Sequence, residues 1–207
     1  MRGINMNIAT MLVAVGLAIG TGSGFAFENE GNRRVHLAQL SASERAAELE
    51  RLHQELNSDN MFLRRAAFEA ASQSEDPLIV KFAIDAALDS EDLDLQSDGL
   101  RLWLSLRERI AVDLELPTKP TGEQTKLYDE AQPLWFRVQD VSPRELTLFW
   151  KDGRNLNYRW HGNFAAGGFR VDNRKCRLEM RVIDRRELAG AYSCGATASL
   201  LARVQVE

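Results

Sequence analysis

Residues 176–194 read Cys-Arg-Leu-Glu-Met-Arg-Val-Ile-Asp-Arg-Arg-Glu-Leu-Ala-Gly-Ala-Tyr-Ser-Cys. A cysteine stands at each end, apolar residues recur at every second position, and the polar residues Asp184, Arg185 and Arg186 fall in the middle. This describes a β-hairpin closed by a disulfide. With Cys176 opposite Cys194, Leu178 faces Tyr192, Met180 faces Gly190 and Val182 faces Leu188. Strand side chains alternate with period two, so these eight share one face while Arg177, Glu179 and Arg181 take the other. A slip of one residue would turn the apolar set outward, so pattern and cysteine spacing select the same register.

The alternation continues outward from the hairpin. Upstream, Leu134, Phe136 and Val138 alternate with Trp135, Arg137 and Gln139. Leu146, Leu148 and Trp150 alternate with Thr147, Phe149 and Lys151, and Leu156, Tyr158 and Trp160 with Asn157, Arg159 and His161. A two-residue turn at Asp152-Gly153 would set Trp150 opposite Asn155. A longer loop would set it opposite Leu156, which the apolar pattern prefers. A short strand around Phe169 to Val171 lies between Gly167-Gly168 and Asp172-Asn173, and Leu200, Ala202, Val204 and Val206 form the last strand. About seven strands in sequence order make an antiparallel meander, as a small barrel or a sandwich. Ile110, Val112, Leu114 and Leu116 are a further strand ahead of it. Residues 117–126, with two prolines and a glycine, read as a loop.

The first half has a different period. Ser41 and Glu44 fit a capping box at the start of a helix carrying Ala46, Leu49, Leu52 and Leu56. Then Ser58-Asp59-Asn60, Ser74-Glu75-Asp76 and Ser90-Glu91-Asp92 recur at a 16-residue spacing. Each offers a helix N-cap with acids near the positive end of the helix dipole. Pro77 follows the second cap, where the first helical turn tolerates it. The bodies align too: Ala67, Ala83 and Gly99 are small, Phe68, Ile84 and Leu100 large, and Ala71, Ala87 and Trp103 follow. Small residues at a fixed position let helices approach closely, which predicts stacked antiparallel helical hairpins.

Asp59, Leu63, Arg64, Ala66 and Ala67 give an acid-spacer-hydrophobic-Arg-x-Ala-Ala pattern that resembles short HEAT-like helical repeats, over residues 58–107. The later copies carry Val80-Lys81 and Gln96-Ser97 in place of the arginine motif. The resemblance implies a protein-binding scaffold or a structural cap.

The N-terminus supplies an address. Arg2, an apolar run from Ile8 to Ile19 and the small-residue stretch to Ala26 have the layout of a cleaved secretory signal, residues 1–26, with Ala26 the last residue removed. The run is shorter than the roughly 20 residues that span a bilayer, so no stable membrane span is expected after cleavage. Residues 27–40 read as a flexible leader. An oxidising compartment, secreted or periplasmic, permits the Cys176–Cys194 bridge. Closing a loop of that length contributes about 3 kcal/mol.

From Phe27 to Leu116 acidic residues outnumber basic ones by nine; from Pro117 onward basic residues lead by four. Neither half has the basic excess of a nucleic-acid binder. The three histidines, His36, His53 and His161, share no metal-ligand spacing, and no nucleophile elbow, phosphate loop or dinucleotide fingerprint is present. No cofactor and no metal site is expected. Asp89, Glu91, Asp92, Asp94 and Asp98 lack calcium-loop spacing and read as a solvated cap and helix start. Trp135, Arg137, Phe149, Lys151, Arg159 and His161 have the parity opposite to the core set. An aromatic-and-basic face of this kind marks an interface.

The expected fold is therefore α+β. Residues 41–108 form a small helical hairpin-repeat bundle, and residues 109–207 an antiparallel β-domain with one disulfide. The expected function is non-catalytic binding of a protein partner at the cell envelope. A carbohydrate or small-ligand site on the β-domain is the first alternative, and a hydrolase with a site dispersed in sequence the second. The charge difference between the halves further predicts that the helices cover the face bearing Trp135, Phe149, Arg159 and His161.

Overall fold

The computed structural model describes residues 41–151, 157–195 and 198–206. The expected signal (1–26), the leader (27–40) and Leu156 lie outside the described residues. Four helices come first: α1 (Ala42–Leu56), α2 (Met61–Ser72), α3 (Pro77–Leu88) and α4 (Leu93–Ser105). The strands are β1 (Arg109–Glu115), β2 (Leu134–Val141), β3 (Leu146–Lys151), β4 (Asn157–Ala165), β5 (Gly168–Asp172), β6 (Cys176–Asp184), β7 (Glu187–Cys194) and β8 (Ala198–Gln205). A fifth helix, α5 (Gly122–Ala131), joins β1 to β2.

The 16-residue repeat is a repeated cap. The hydroxyls of Ser58, Ser74 and Ser90 accept from the backbone N–H of Asn60, Asp76 and Asp92 at 3.2, 3.1 and 3.1 Å. Those three side chains in turn accept from the N–H of Phe62, Leu78 and Asp94 at 3.0, 2.9 and 3.0 Å. Each turn thus satisfies donors that the helix itself leaves open. Ser41 and Glu44 complete the capping box of α1. Ala67 and Ala83 are buried, and a Cβ built on Gly99 would lie 2.6 Å from the Ala87 Cβ, so α3 and α4 approach almost backbone to backbone.

The strands form a closed antiparallel barrel in which β1 pairs with both β2 and β8. Closure removes every sheet edge. The hairpin that decided the fold has the expected register throughout, Cys176↔Cys194, Leu178↔Tyr192, Met180↔Gly190 and Val182↔Leu188, and the disulfide is formed. Phe136, Leu148, Trp160, Leu178, Met180 and Tyr192 are fully buried inside. Phe136 and Trp160 meet edge to face at 5.2 Å. Gly162 and Gly190 share this inward parity. A Cβ there would stand 1.7 and 1.8 Å from the carbonyl oxygens of Arg170 and Glu179, so only glycine lets the strands coil this tightly.

Both mouths of the barrel are covered. At one end lie the turns after β2, β4 and β6, together with Val206. Here Ile84, Leu88, Leu100, Trp103 and Leu104 of α3 and α4 join the barrel interior in one apolar cluster. Ser97 Oγ accepts from the Gly167 N–H at 3.1 Å, and Arg185 pairs with Asp89 at 3.5 Å. At the other end, Leu127 and Ala131 of α5 belong to the same cluster, and Gln124 Nε2 donates to the Ser199 carbonyl at 3.0 Å.

Three expectations change. Residues 117–126 are not all loop, because α5 starts at Gly122; Thr121 and Gln124 make a capping box that two prolines and a glycine disguise in the sequence. Trp150 pairs with Tyr158, stacked at 5.5 Å, rather than with Asn155 or Leu156. That register sets Trp160 opposite Leu148, both fully buried, which the two shorter pairings would not do. Lastly, the helices do not cover the Trp135 face: they plug the barrel mouth, because their largest apolar groups, Trp103 and the leucines of α4, have an open end of the core to fill.

Candidate functional site

Cross-strand pairing assembles one row on the outer wall of the barrel. Arg109 of β1 pairs with Arg137 of β2, Arg137 with Phe149 of β3, and Phe149 with Arg159 of β4. Trp135, opposite Ala111, lies two residues along β2 on the same face. The Arg109 guanidinium stands 5.5 Å above the Trp135 ring and that of Arg159 5.1 Å above Phe149. A cation over an aromatic face is attracted by the ring quadrupole, worth about 0.5–1 kcal/mol when exposed. The rings are half-buried, and Arg137 and Arg159 are exposed. Among the described residues, no carboxylate is within ion-pair distance of Arg109, Arg137 or Arg159, although the Arg159 charge acts on the Glu145 carboxylate.

Of the six residues expected on this face, the structure brings Trp135, Arg137, Phe149 and Arg159 together. Lys151 ends β3 opposite Asn157, and its side chain lies outside the described residues. His161 is two pairs further along, opposite Thr147. Arg109 is the member the sequence reading missed. Its outward parity is visible beside buried Ile110, but its neighbours depend on β1 pairing with β2.

His161 has its own small network. Its Nδ1 lies 3.1 Å from Glu145 Oε1 and 3.4 Å from Thr147 Oγ1, and the Thr147 hydroxyl donates to the same carboxylate oxygen at 3.1 Å. The hydrogen bond from His161, followed by that from Thr147, holds the Glu145 carboxyl below its ordinary value. A hydroxyl, an imidazole and a carboxylate are the parts of a nucleophilic triad, but the wiring differs. A triad uses the two ring nitrogens on opposite sides, one toward the nucleophile and one toward the acid. Here both partners meet the same nitrogen, so the imidazole braces the β2–β3 turn against β4.

Four of the five residues of the acidic run are engaged as well. Asp92 caps α4, Asp94 pairs with Arg65 at 3.1 Å, Asp98 with Arg101 at 2.8 Å, and Asp89 with Arg185. Among the described residues, no group of three or more His, Cys, Asp or Glu side chains is placed to hold a metal ion. Ser193 lies in β7 opposite Arg177.

No protein-family model, curated protein or solved structure matches this chain.

Proposed function

We propose that this chain is an exported, non-catalytic binding protein of the cell envelope, and that the face of Trp135, Arg137, Phe149, Arg159 and Arg109 takes an acidic segment of a protein partner. The observation that carries this reading is the direct pairing of Arg109 with Arg137. Like charges opposite one another in a sheet oppose folding, and no carboxylate among the described residues offsets them. An acidic partner removes that repulsion. The flanking rings supply the apolar area and Arg-aromatic composition that interfaces favour. Export is supported by the secretory layout of residues 1–26 and by a formed disulfide. Among the described residues, no helix is long and apolar enough to cross a membrane. In this reading α2–α4 are HEAT-like repeats that serve as a structural cap on the barrel.

The test places a photo-crosslinking residue at position 149 and exposes the purified chain to envelope extract. The expected product is one acidic protein segment, lost when Arg137→Glu and Arg159→Glu are introduced together with the melting temperature unchanged. Crosslinking that survives both charge reversals, or displacement by neutral oligosaccharide, overturns the proposal. The mature protein is expected to begin at Phe27; an intact Met1 after export removes the envelope assignment.

A further inference from the structure

At the mouth covered by α5, the β5–β6 turn together with Ser193 and Gly195 lines an open recess of about 370 Å³. Arg170, Arg174, Lys175 and Arg177 line it, with Asp172 as its carboxylate. Asp172 lies 3.5 Å from Arg170. Arg174, Lys175 and Arg177 are exposed and have no ion-pair partner among the described residues.

The backbone beneath these cations is fixed. Asn173 Oδ1 accepts from the N–H groups of Lys175 and Cys176, each at 2.8 Å. The Cys176 carbonyl accepts from the Asn173 N–H at 2.9 Å, and the Lys175 carbonyl from the Gly195 N–H at 3.0 Å. The Cys176–Cys194 disulfide closes the frame. A fixed backbone thus carries two guanidinium groups and an ammonium to the lining of one recess. Such preorganised positive charge binds an anion without further ordering of the backbone.

The chemistry of the lining narrows the ligand. The turn amides of Lys175, Cys176 and Gly195 are already used, so recognition falls to side chains. Guanidinium forks match the oxygens of a phosphate group, and lysine adds a point charge. The walls are almost wholly polar and offer nothing to grip a ring or an acyl chain. The recess reads a charged group rather than the body attached to it. We infer that it is an oxyanion site for a phosphate group, either free or terminal on a lipid headgroup. It is built on β5 and β6, next to the β4 end of the outer-wall row, where Asp172 pairs with His161, but its argument does not depend on the function proposed for that row.

The test follows the amide resonances of Lys175, Cys176 and Gly195 during titration with inorganic phosphate at low salt. Saturable shifts are expected, with affinity falling about tenfold or more in the double variant Arg174→Ala, Arg177→Ala. Both residues are exposed, so the melting temperature should hold. Arg144→Ala, at the opposite mouth, should bind as the parent does. Sedimentation with phosphatidic acid vesicles but not phosphatidylcholine vesicles, lost in the double variant, would assign the phosphate to a headgroup. Phosphate binding without sedimentation would assign it to a soluble compound. Absence of saturable shifts at millimolar phosphate, or equal weakening in Arg144→Ala, overturns the inference.

Discussion

The Tyr192 hydroxyl lies 3.3 Å from Cys194 Sγ, so the buried phenol of the barrel and its disulfide share one corner of the core. A disulfide sulfur has no hydrogen to give, so the phenol O–H donates. Burial, with a contribution from the Glu130 carboxylate, pushes the Tyr192 pKa up to about 12.

That shift predicts an alkaline instability. Unfolded tyrosine ionises near pH 10 while folded Tyr192 remains neutral, so above that pH the unfolded chain binds fewer protons. Stability should fall as pH rises from about 10 toward about 12. Denaturant titrations across this range should show the fall in the parent and a shallower one in Tyr192→Phe. Identical slopes would mean that the phenol is not shielded from solvent.

Glu145 predicts the acid counterpart. Its folded pKa is depressed, chiefly by His161, so its contribution is present above the unfolded carboxylate pKa and is lost as pH falls through the lower folded value. Glu145→Gln should reduce the acid dependence of stability without moving the neutral-pH melting temperature far, since the pair is about half exposed. The check is thermal melts of both proteins from neutral to acid pH.

Glycines should differ sharply by position. Gly162→Ala forces a methyl group toward the Arg170 carbonyl oxygen, and overpacking of this kind costs about 1–3 kcal/mol. Gly122→Ala, in the first turn of α5 with nothing within 4 Å of the new methyl, should be neutral or slightly stabilising. Equal melting temperatures for the two variants would contradict the coiling assigned to β4.

The coupling of helices to barrel rests on Trp103. It is 5% exposed, inside the cluster that fills the barrel mouth, and large-to-small truncation of such a residue costs about 3–5 kcal/mol. Trp135→Ala loses mainly a surface ring contact and should cost about 1 kcal/mol. Calorimetry should show one lowered transition for Trp103→Ala and little change for Trp135→Ala. The reverse order would return the helices to the Trp135 face.

Local rules were legible. The hairpin register follows from two cysteines and a period of two, and the helix starts follow from three copies of one capping turn. Contacts between distant segments were not. Nothing in Arg109 or Trp135 alone announces that β1 lies beside β2, and without that pairing the arginine row is invisible. The helix-to-barrel contact failed for a related reason: charge asymmetry describes long-range attraction, whereas the docking position follows from an uncovered end of an apolar core. α5 was hidden because its apolar stripe is short. The cationic recess was hidden because Arg170 and Asp172 come beside Arg177 only through the register of the β5–β6 pairing.

The pairing of β1 with β8 also sets an order of events during synthesis. Glu115 and Arg203, bonded across this seam, stand 88 residues apart. Contacts of such long sequence separation form slowly. A nascent chain that has emerged only as far as β7 has all its helices but two open edges, one on β1 and one on β7. Unpaired edges are templates for joining other chains. Translation pauses or C-terminal truncations ahead of residue 198 should therefore yield self-associating species rather than a slightly weakened monomer.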